Sequence, residues 1–336
     1  MKRVTIKDLS KFLSLSTSTI SRALLNDKNI NPETQKRVLE AATKLGYKPN
    51  ATALNLKYGK SKNIGLVVPE MITPFSSKVL KGIQNILDPL GYRVIITQSD
   101  ENPLIERENL KLLEEFNVDG IIINLCHESL NEEVYKKLIN NDIPMVFFDR
   151  IPGKSLQASR VIVDDQIKAS LVVEHLINTG RKRIAHIMGP LTIRNVTERV
   201  NGYKRIMEKY SLTDPDLIVS TEGMTFEDGR KAVQELLNRN IHFDSIFAFS
   251  DTLAIGAMNY LHEQNIKIPE EIAIASFSGT ELATIVHPQL TTVQQPLEKM
   301  GETAARLVLE KIQNASSPDQ TVIMETELIY RASTVI

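Results

Sequence analysis

The sequence predicts a two-lobed, doubly wound α/β core behind a small all-α helix-turn-helix domain at the N-terminal end. Three observations carry this. Past residue 60, short apolar runs rich in Val, Ile and Phe alternate with helical stretches, as parallel strands covered on both faces require. Before residue 60, apolar residues recur at helical spacing in three short segments, each with its own start signal. Charge divides at the same place. Residues 1–60 hold twelve Lys or Arg against four Asp or Glu, the rest hold 28 basic against 37 acidic, and the 336-residue chain nets only −1. A basic module joined to an acidic body suits a nucleic-acid partner. On charge alone, a solvated basic face with no partner fits as well.

The head reads in order. Thr5 is an N-cap with an acid, Asp8, three residues on. Ile6, Leu9 and Leu13 follow on one face. Ser14-Leu15-Ser16 breaks the pattern, and Ser16 caps a second helix from Thr17 to about Leu24, with Ile20, Ala23 and Leu24 inward. Asn31-Pro32-Glu33 opens a third, where Pro costs no hydrogen bond in the first turn. Val38, Leu39, Ala42 and Leu45 give it an apolar stripe, and Gly46 ends it. Two helices joined by a tight turn, with a third beside them, make a helix-turn-helix unit. Its second helix would present Thr17, Ser18, Ser21 and Arg22 to base edges and phosphates in a major groove. The plainer reading, a three-helix bundle facing water, is disfavoured by the basic charge and by the hydroxyl-rich second helix.

The run VTIKDLSKFLSLSTSTISRALLND, followed by NPETQKRVLEAATKLGYKPNATALNLKYGKSKNIGLVVP, closely resembles the DNA-binding head of the LacI family of bacterial repressors. The resemblance implies a hinge over Ala51–Lys57 that becomes helical on DNA and, as a pair in a dimer, wedges a leucine into the minor groove. Leu56 stands at that leucine's position. Such wedges cost a few kcal/mol of unstacking per step and gain a bent, better-wrapped duplex. A seven-residue helix is unstable alone, so the hinge would fold only with DNA and a partner. Leu54 departs from the polar or basic residue that relatives carry. Beyond the second helix, the implied DNA contacts are Thr5, Ser16, Asn29, Asn31, Thr34, Tyr47, Asn50, Ala53, Leu56 and Lys57.

The expected domains are a head over 1–49, a hinge over 50–60 and a core over 61–336. Core strands are expected at IGLVVP (64–69), YRVIITQ (92–98), DGIIINL (119–125) and PMVFFDR (144–150). Helices lie between them near 75–88, 103–116 and 129–141. The pattern resumes after residue 160 with RVIVDD, RIAHIMG, LIVST, SIFAFS and IAIASFS. The LacI-like resemblance continues through VIVDDQIKASLVVEHLINTGRKRIAHIMGP and PEEIAIASFSGTELATIVHPQL. It implies a periplasmic-binding-protein-like core whose chain crosses between lobes near 161, 291 and 321. Lobe one would hold about 61–160 and 291–320, lobe two about 161–290 and 321–336.

The sequence carries no P-loop, no G-x-G-x-x-G after a strand and no G-x-S-x-G, and its six histidines lack metal spacing. Neither metal nor cofactor is expected. The adjacent acids Asp164 and Asp165 point apart at a strand end. His186, His175 and His262 read as structural. Cys126, the only cysteine, sits in an apolar run and reads as a buried hydrophobe. The start MKRVTIKDLSKF lacks a signal peptide's apolar stretch, and no run of about 18 apolar residues occurs. The expectation is a soluble intracellular protein.

A cleft between such lobes takes its ligand at the strand C-termini. The resemblance implies effector contacts at Thr73, Pro74 and Phe75, Asp149 and Arg150, Arg199, Ser250 and Asp251, with Asp149 and Arg199 the foremost. Asp251 also reads as a helix N-cap. Ser278 replaces an acid and Met224 an aromatic that relatives often carry. Both departures leave a free sugar, a sugar phosphate, an oligosaccharide or another metabolite open. The implied function is an allosteric repressor acting as a homodimer on palindromic operator DNA, with a protein coregulator left open. An exported solute-binding protein lacks support in the basic head, and an enzyme lacks a catalytic constellation.

Overall fold

Each head helix begins where a capping side chain stands ready. In the computed structural model, which describes residues 4–47, 60–153 and 155–335, Thr5 opens α1 (Ile6–Leu13) with a capping box. Its hydroxyl accepts from the Asp8 amide, while the Asp8 carboxylate accepts from the Thr5 amide at 2.8 Å. Ser16 caps α2 (Thr17–Leu24), and Asn31 caps α3 (Pro32–Leu45). Gly46 closes α3 in the left-handed region, φ 67°, at no steric cost to glycine. Leu9, Ile20, Ala23, Val38, Ala41 and Ala42 form the core of this unit. Leu39, expected in the stripe, is 44% exposed. At 100° per residue the inward line runs through the buried 38, 41 and 42 to the partly buried 45, and residue 39 turns off it.

The chain divides into two compact units, Met1–Ser61 and Lys62–Ile336. The larger contains two six-stranded sheets. The first comprises β1 (Asn63–Val68), β2 (Arg93–Gln98), β3 (Gly120–Ile123), β4 (Met145–Phe148), β5 (Ser159–Val163) and β11 (Thr321–Met324), in the spatial order β11-β5-β4-β3-β1-β2. The second comprises β6 (Ile184–Met188), β7 (Ile218–Ser220), β8 (Ser245–Ala248), β9 (Ala273–Ser278), β10 (Thr291–Gln294) and β12 (Glu327–Ile329), ordered β12-β10-β9-β8-β6-β7. Pairing is parallel, with Ile64 opposite both Val94 and Gly120 and Ile184 opposite Ser245; among the described residues only β10–β12 runs antiparallel.

The first sheet is covered by α4 (Pro74–Leu87) and α12 (Leu297–Gln313) on one face and by α5 (Pro103–Glu115) and α6 (Glu132–Asn140) on the other. The second lies between α7 (Asp165–Asn178) with α8 (Arg194–Lys209) and α9 (Phe226–Asn238) with α10 (Asp251–Glu263). A short α11 (Leu282–Ile285) follows β9. Two-sided cover explains why β3, β4 and β8 are buried at every position. In the edge strand β2, Ile96 stays 41% exposed. Helices α4 and α12 pack backbone to backbone: a Cβ on Gly82 would overlap the Glu298 carbonyl, and one on Gly301 the Val79 carbonyl.

The chain crosses between lobes after β5, after β10 and between β11 and β12. The crossings expected near 161, 291 and 321 each fall at the start of a strand that still belongs to the earlier sheet. An apolar run reports that a strand is buried, not which sheet it joins. The crossing comes only when pairing is complete.

Candidate functional sites

The head's second helix offers an open polar face. Thr17, Ser18 and Arg22 are exposed and Ser21 half-buried, opposite the buried Ile20 and Ala23. The Ser16 hydroxyl accepts from the Thr19 amide at 3.1 Å and lies 2.8 Å from the hydroxyls of both Ser18 and Thr19. Thr5, Ser16 and Asn31 are thus caps of three helix starts, where backbone amides and the helix dipole favour an anion. Asn29 donates its side-chain amide to Asp27 Oδ1 at 2.9 Å. Thr34 is half-buried, and Tyr47 packs against the head's core with its amide on the Ala42 carbonyl at 2.9 Å. Asn50, Ala53, Leu56 and Lys57 lie outside the described residues.

In the core, polar groups converge at the C-terminal ends of the strands. Asp149 follows β4 with a left-handed backbone, φ 58°. Its carboxylate accepts from Asn124 Nδ2 at 3.5 Å, and the carboxamide of Asn195, which α8 brings from the other lobe, lies near enough to pull its pKa down. Burial raises the Asp149 pKa against the pull of Arg199 and Arg150. Arg199 is 2% exposed. Its Nε donates to Asp165 Oδ1 at 2.8 Å and its NH1 to the Phe249 carbonyl at 2.6 Å. Its guanidinium carbon lies 3.6 Å from the Phe277 ring centre and 4.2 Å from that of Phe249, within cation–π range. Burial pushes Asp165 up to about 7 despite the Arg199 charge, and the nearby Asp149 charge adds to the rise.

Arg150 forks onto Glu101, with NH1 on Oε2 at 2.7 Å and NH2 on Oε1 at 2.9 Å, and NH2 also reaches the Met224 sulfur of the second lobe at 3.3 Å. The lobes also meet through Lys78–Glu281 at 2.9 Å and through the Glu128 amide on the Thr192 carbonyl at 3.2 Å. Guanidinium, carboxylate and carboxamide groups beside aromatic faces form a hydrogen-bonding set for a small polar ligand. Among the described residues no group of three His, Cys, Asp or Glu could hold a metal.

The structure brings Asp149, Arg150, Arg199 and Met224 together and gives other expected contacts structural duties. Thr73 caps α4, Pro74 begins it, and Phe75 packs half-buried on the core. Ser250, not Asp251, caps α10: its extended backbone ends at the helix start, and its hydroxyl accepts from the Leu253 amide at 3.3 Å. Asp251 is the next residue in, 1% exposed. Its Oδ1 accepts from Ser276 at 2.6 Å and Thr292 at 2.7 Å; its Oδ2 accepts from the Thr280 amide at 2.6 Å and hydroxyl at 2.8 Å. Those bonds tie β9 and β10 to α10. Ser278 ends β9 at φ 119° and takes the Gln295 amide on its carbonyl at 3.3 Å.

Sequence reasoning passed over Asn124, Asn195, Glu101 and the aromatic pair Phe249 and Phe277. Asn124 directly follows β3, and a strict reading of strand ends would have found it. Asn195 stands one turn before Arg199, so the two share a helix face. Nothing in the sequence singles out Glu101. The readings of His186 and Cys126 agree with the structure. His186 stacks between Tyr203 and Phe247, bonds the Phe247 carbonyl through Nδ1 at 2.8 Å, and is lowered to about 4 by burial. Burial raises the thiol pKa of Cys126, which disfavours a reactive thiolate. Among the described residues no helix is long and apolar enough to cross a membrane.

Residues 5–50 match the bacterial regulatory proteins of the lacI family, and residues 173–334 match the periplasmic binding protein-like domain. The chain is 31% identical to the ribose operon repressor of Halalkalibacterium halodurans, over 98% of this chain and 97% of that one. It is 32% identical to catabolite control protein A of Priestia megaterium, over 98% and 99%. The crystal structure of the lac repressor dimer bound to operator and the anti-inducer ONPF shares the fold, with a TM-score of 0.88 over 100% of both chains at 22% identity.

Proposed function

This chain belongs to the lacI family of bacterial regulatory proteins, and on that premise we propose that it is a transcriptional repressor, binding a palindromic operator as a homodimer under the control of a small molecule held between its core lobes. The effector class is a sugar or sugar derivative. The observation that carries the reading is one chain that pairs the polar Thr17–Ser18–Ser21–Arg22 face with a two-lobed core in which Asp149 and Arg150 after β4 meet Arg199 from α8.

Two heads are needed because each recognition helix reads one half-site. Thr17, Ser18, Ser21 and Arg22 meet the major groove. Thr5, Ser16, Asn29, Asn31 and Thr34 meet the backbone through caps and amides. Tyr47, Asn50, Ala53, Leu56 and Lys57 form the hinge side, with Leu56 as the wedge. In the cleft, Asp149 accepts ligand hydroxyls and Arg199 donates to them. Thr73, Pro74, Phe75, Met224, Ser250 and Ser278 border the ligand, and Asp251 positions the strand ends. Ligand that favours one lobe arrangement shifts the population of the dimer able to grip DNA. By linkage, DNA then alters ligand affinity by the same factor. The family is regulatory, and this reading contains no catalytic step. It places the protein in the cytoplasm, at the nucleoid when bound.

The test is Arg22→Ala. A fork from arginine to guanine is worth about 1–3 kcal/mol of discrimination. Affinity for the specific site should therefore fall by that amount, while affinity for random DNA changes little. Equal losses on both, read by fluorescence anisotropy, would make Arg22 a phosphate contact and remove its reading role.

A further inference from the structure

The loop after β2 spends conformational strain to aim one side chain. Asp100 and Glu101 are both left-handed, φ 51° and 54°, a region that side chains with a Cβ adopt only at a cost. The loop is pinned there. The Asp100 amide donates to the Pro69 carbonyl at 2.9 Å, the Asn102 amide donates to the Ser99 carbonyl at 2.9 Å, and Gln98 Nε2 donates to Asp100 Oδ1 at 2.5 Å. The product of this arrangement is the two-pronged pair of Glu101 with Arg150. Arg150 is 8% exposed, whereas the Glu101 side chain is 43% exposed. The cation is the buried partner, and the carboxylate covers it from the open side.

The charges around the pair give it its meaning. Among the described residues, the two cleft arginines are each committed to a carboxylate, Arg150 to Glu101 and Arg199 to Asp165, and Asp149 acts on both. Burial works against the charge of Arg150, and the carboxylates of Glu101 and Asp149 outweigh it. An incoming phosphate or carboxylate would find both of these arginines already committed and would meet the Glu101 carboxylate on the open side. A polyhydroxyl compound would meet acceptors and donors in a set that needs no new charge.

We propose that Glu101 determines the ligand class of the cleft: by neutralising Arg150 it selects uncharged polyhydroxyl ligands against phosphorylated or carboxylated ones. This rests on the cleft reading above and assigns a role to a residue that the family resemblance did not single out. The distinction matters because an Arg at a strand end would otherwise suit an anion.

The experiment uses the full chain, with inorganic phosphate and ribose 5-phosphate as probes, titrated calorimetrically at constant ionic strength. Glu101→Gln keeps the shape and one hydrogen-bond acceptor but removes the charge. It should bind ribose 5-phosphate at least about tenfold more tightly than the wild type, since a nearly buried guanidinium that has lost its two-pronged carboxylate partner attracts a phosphate strongly. Glu101→Ala should gain similarly. Adding Arg150→Gln to either variant should return the affinity to the wild-type level. Equal anion binding by wild type and both variants overturns the proposal, as does a gain that survives Arg150→Gln. If both single variants fail to fold by circular dichroism, the pair is structural and the assignment falls. Failure of the cleft reading itself shows differently, as operator affinity indifferent to every compound that the wild type binds.

Discussion

Asp251→Ala isolates the difference between a ligand contact and a structural knot. The Asp251 carboxylate takes four hydrogen bonds and is 1% exposed. Truncation leaves the Thr280 amide and the hydroxyls of Ser276, Thr280 and Thr292 facing a void. The hydroxyls can rotate toward other acceptors, whereas the amide cannot. One orphaned buried donor costs about 1–3 kcal/mol, and bonds to a charged acceptor are worth about 1.5–3 kcal/mol each. Removing the buried charge recovers part of this, because desolvation raises the Asp251 pKa above its ordinary value. The net loss is about 3–5 kcal/mol, at the upper end for single substitutions. Asp251→Asn, which keeps one oxygen in place, should lose about half as much. The chain has no tryptophan, so urea unfolding is followed by far-UV circular dichroism, with hydrogen exchange locating the weakened amides. Faster exchange in β9 and β10 is expected. Unchanged stability together with lost effector binding would refute the reasoning and return Asp251 to the ligand.

Two further outcomes follow from the core. Burial holds the Asp165 pKa at about 7 in the folded chain, against an ordinary value of 3.8, so its proton is bound more tightly in the folded state. Its contribution to stability is therefore full below about pH 4 and is lost as pH rises through 7. Wild-type stability relative to Asp165→Asn should fall across that window by a few kcal/mol at most, since each tenfold difference in proton affinity is worth about 1.4 kcal/mol. A difference that grows with pH would contradict this sign. Gly82→Ala forces a Cβ against the Glu298 carbonyl and should cost about 1–3 kcal/mol by overpacking, even though Ala is the better helix former. A rise in Tm would show that α4 and α12 are not in close backbone contact.

The sequence announced its local structure well because local rules govern it. Thr5 with Asp8, Ser16, and Asn31 with Pro32 each marked a helix start within the few residues that form it, and the apolar runs marked each strand. What lay beyond reach was non-local. The run RVIVDD reads alike whether it closes one sheet or opens the next, and only the pairing of Val161 with β11 decides. Asp251 resembled a cap because the residue types at a helix start are similar. Its actual partners come from residues 276, 280 and 292, whose proximity no spacing rule conveys. Glu101 was invisible for the same reason: its partner lies 49 positions away. Asp149 and Arg199 were named through resemblance as proposed effector contacts, and the network of bonds that holds them was not legible.

The central claim, a sequence-specific DNA-binding protein whose grip depends on a small molecule, is tested most directly by selecting bound fragments from sheared genomic DNA. The purified full chain is used at about 150 mM salt, which suppresses non-specific phosphate binding, with and without the cell's extracted small-molecule pool. The expected result is a short palindrome beside a few genes, with recovery that changes when the pool is added. A folded protein that enriches no site under either condition would contradict the account.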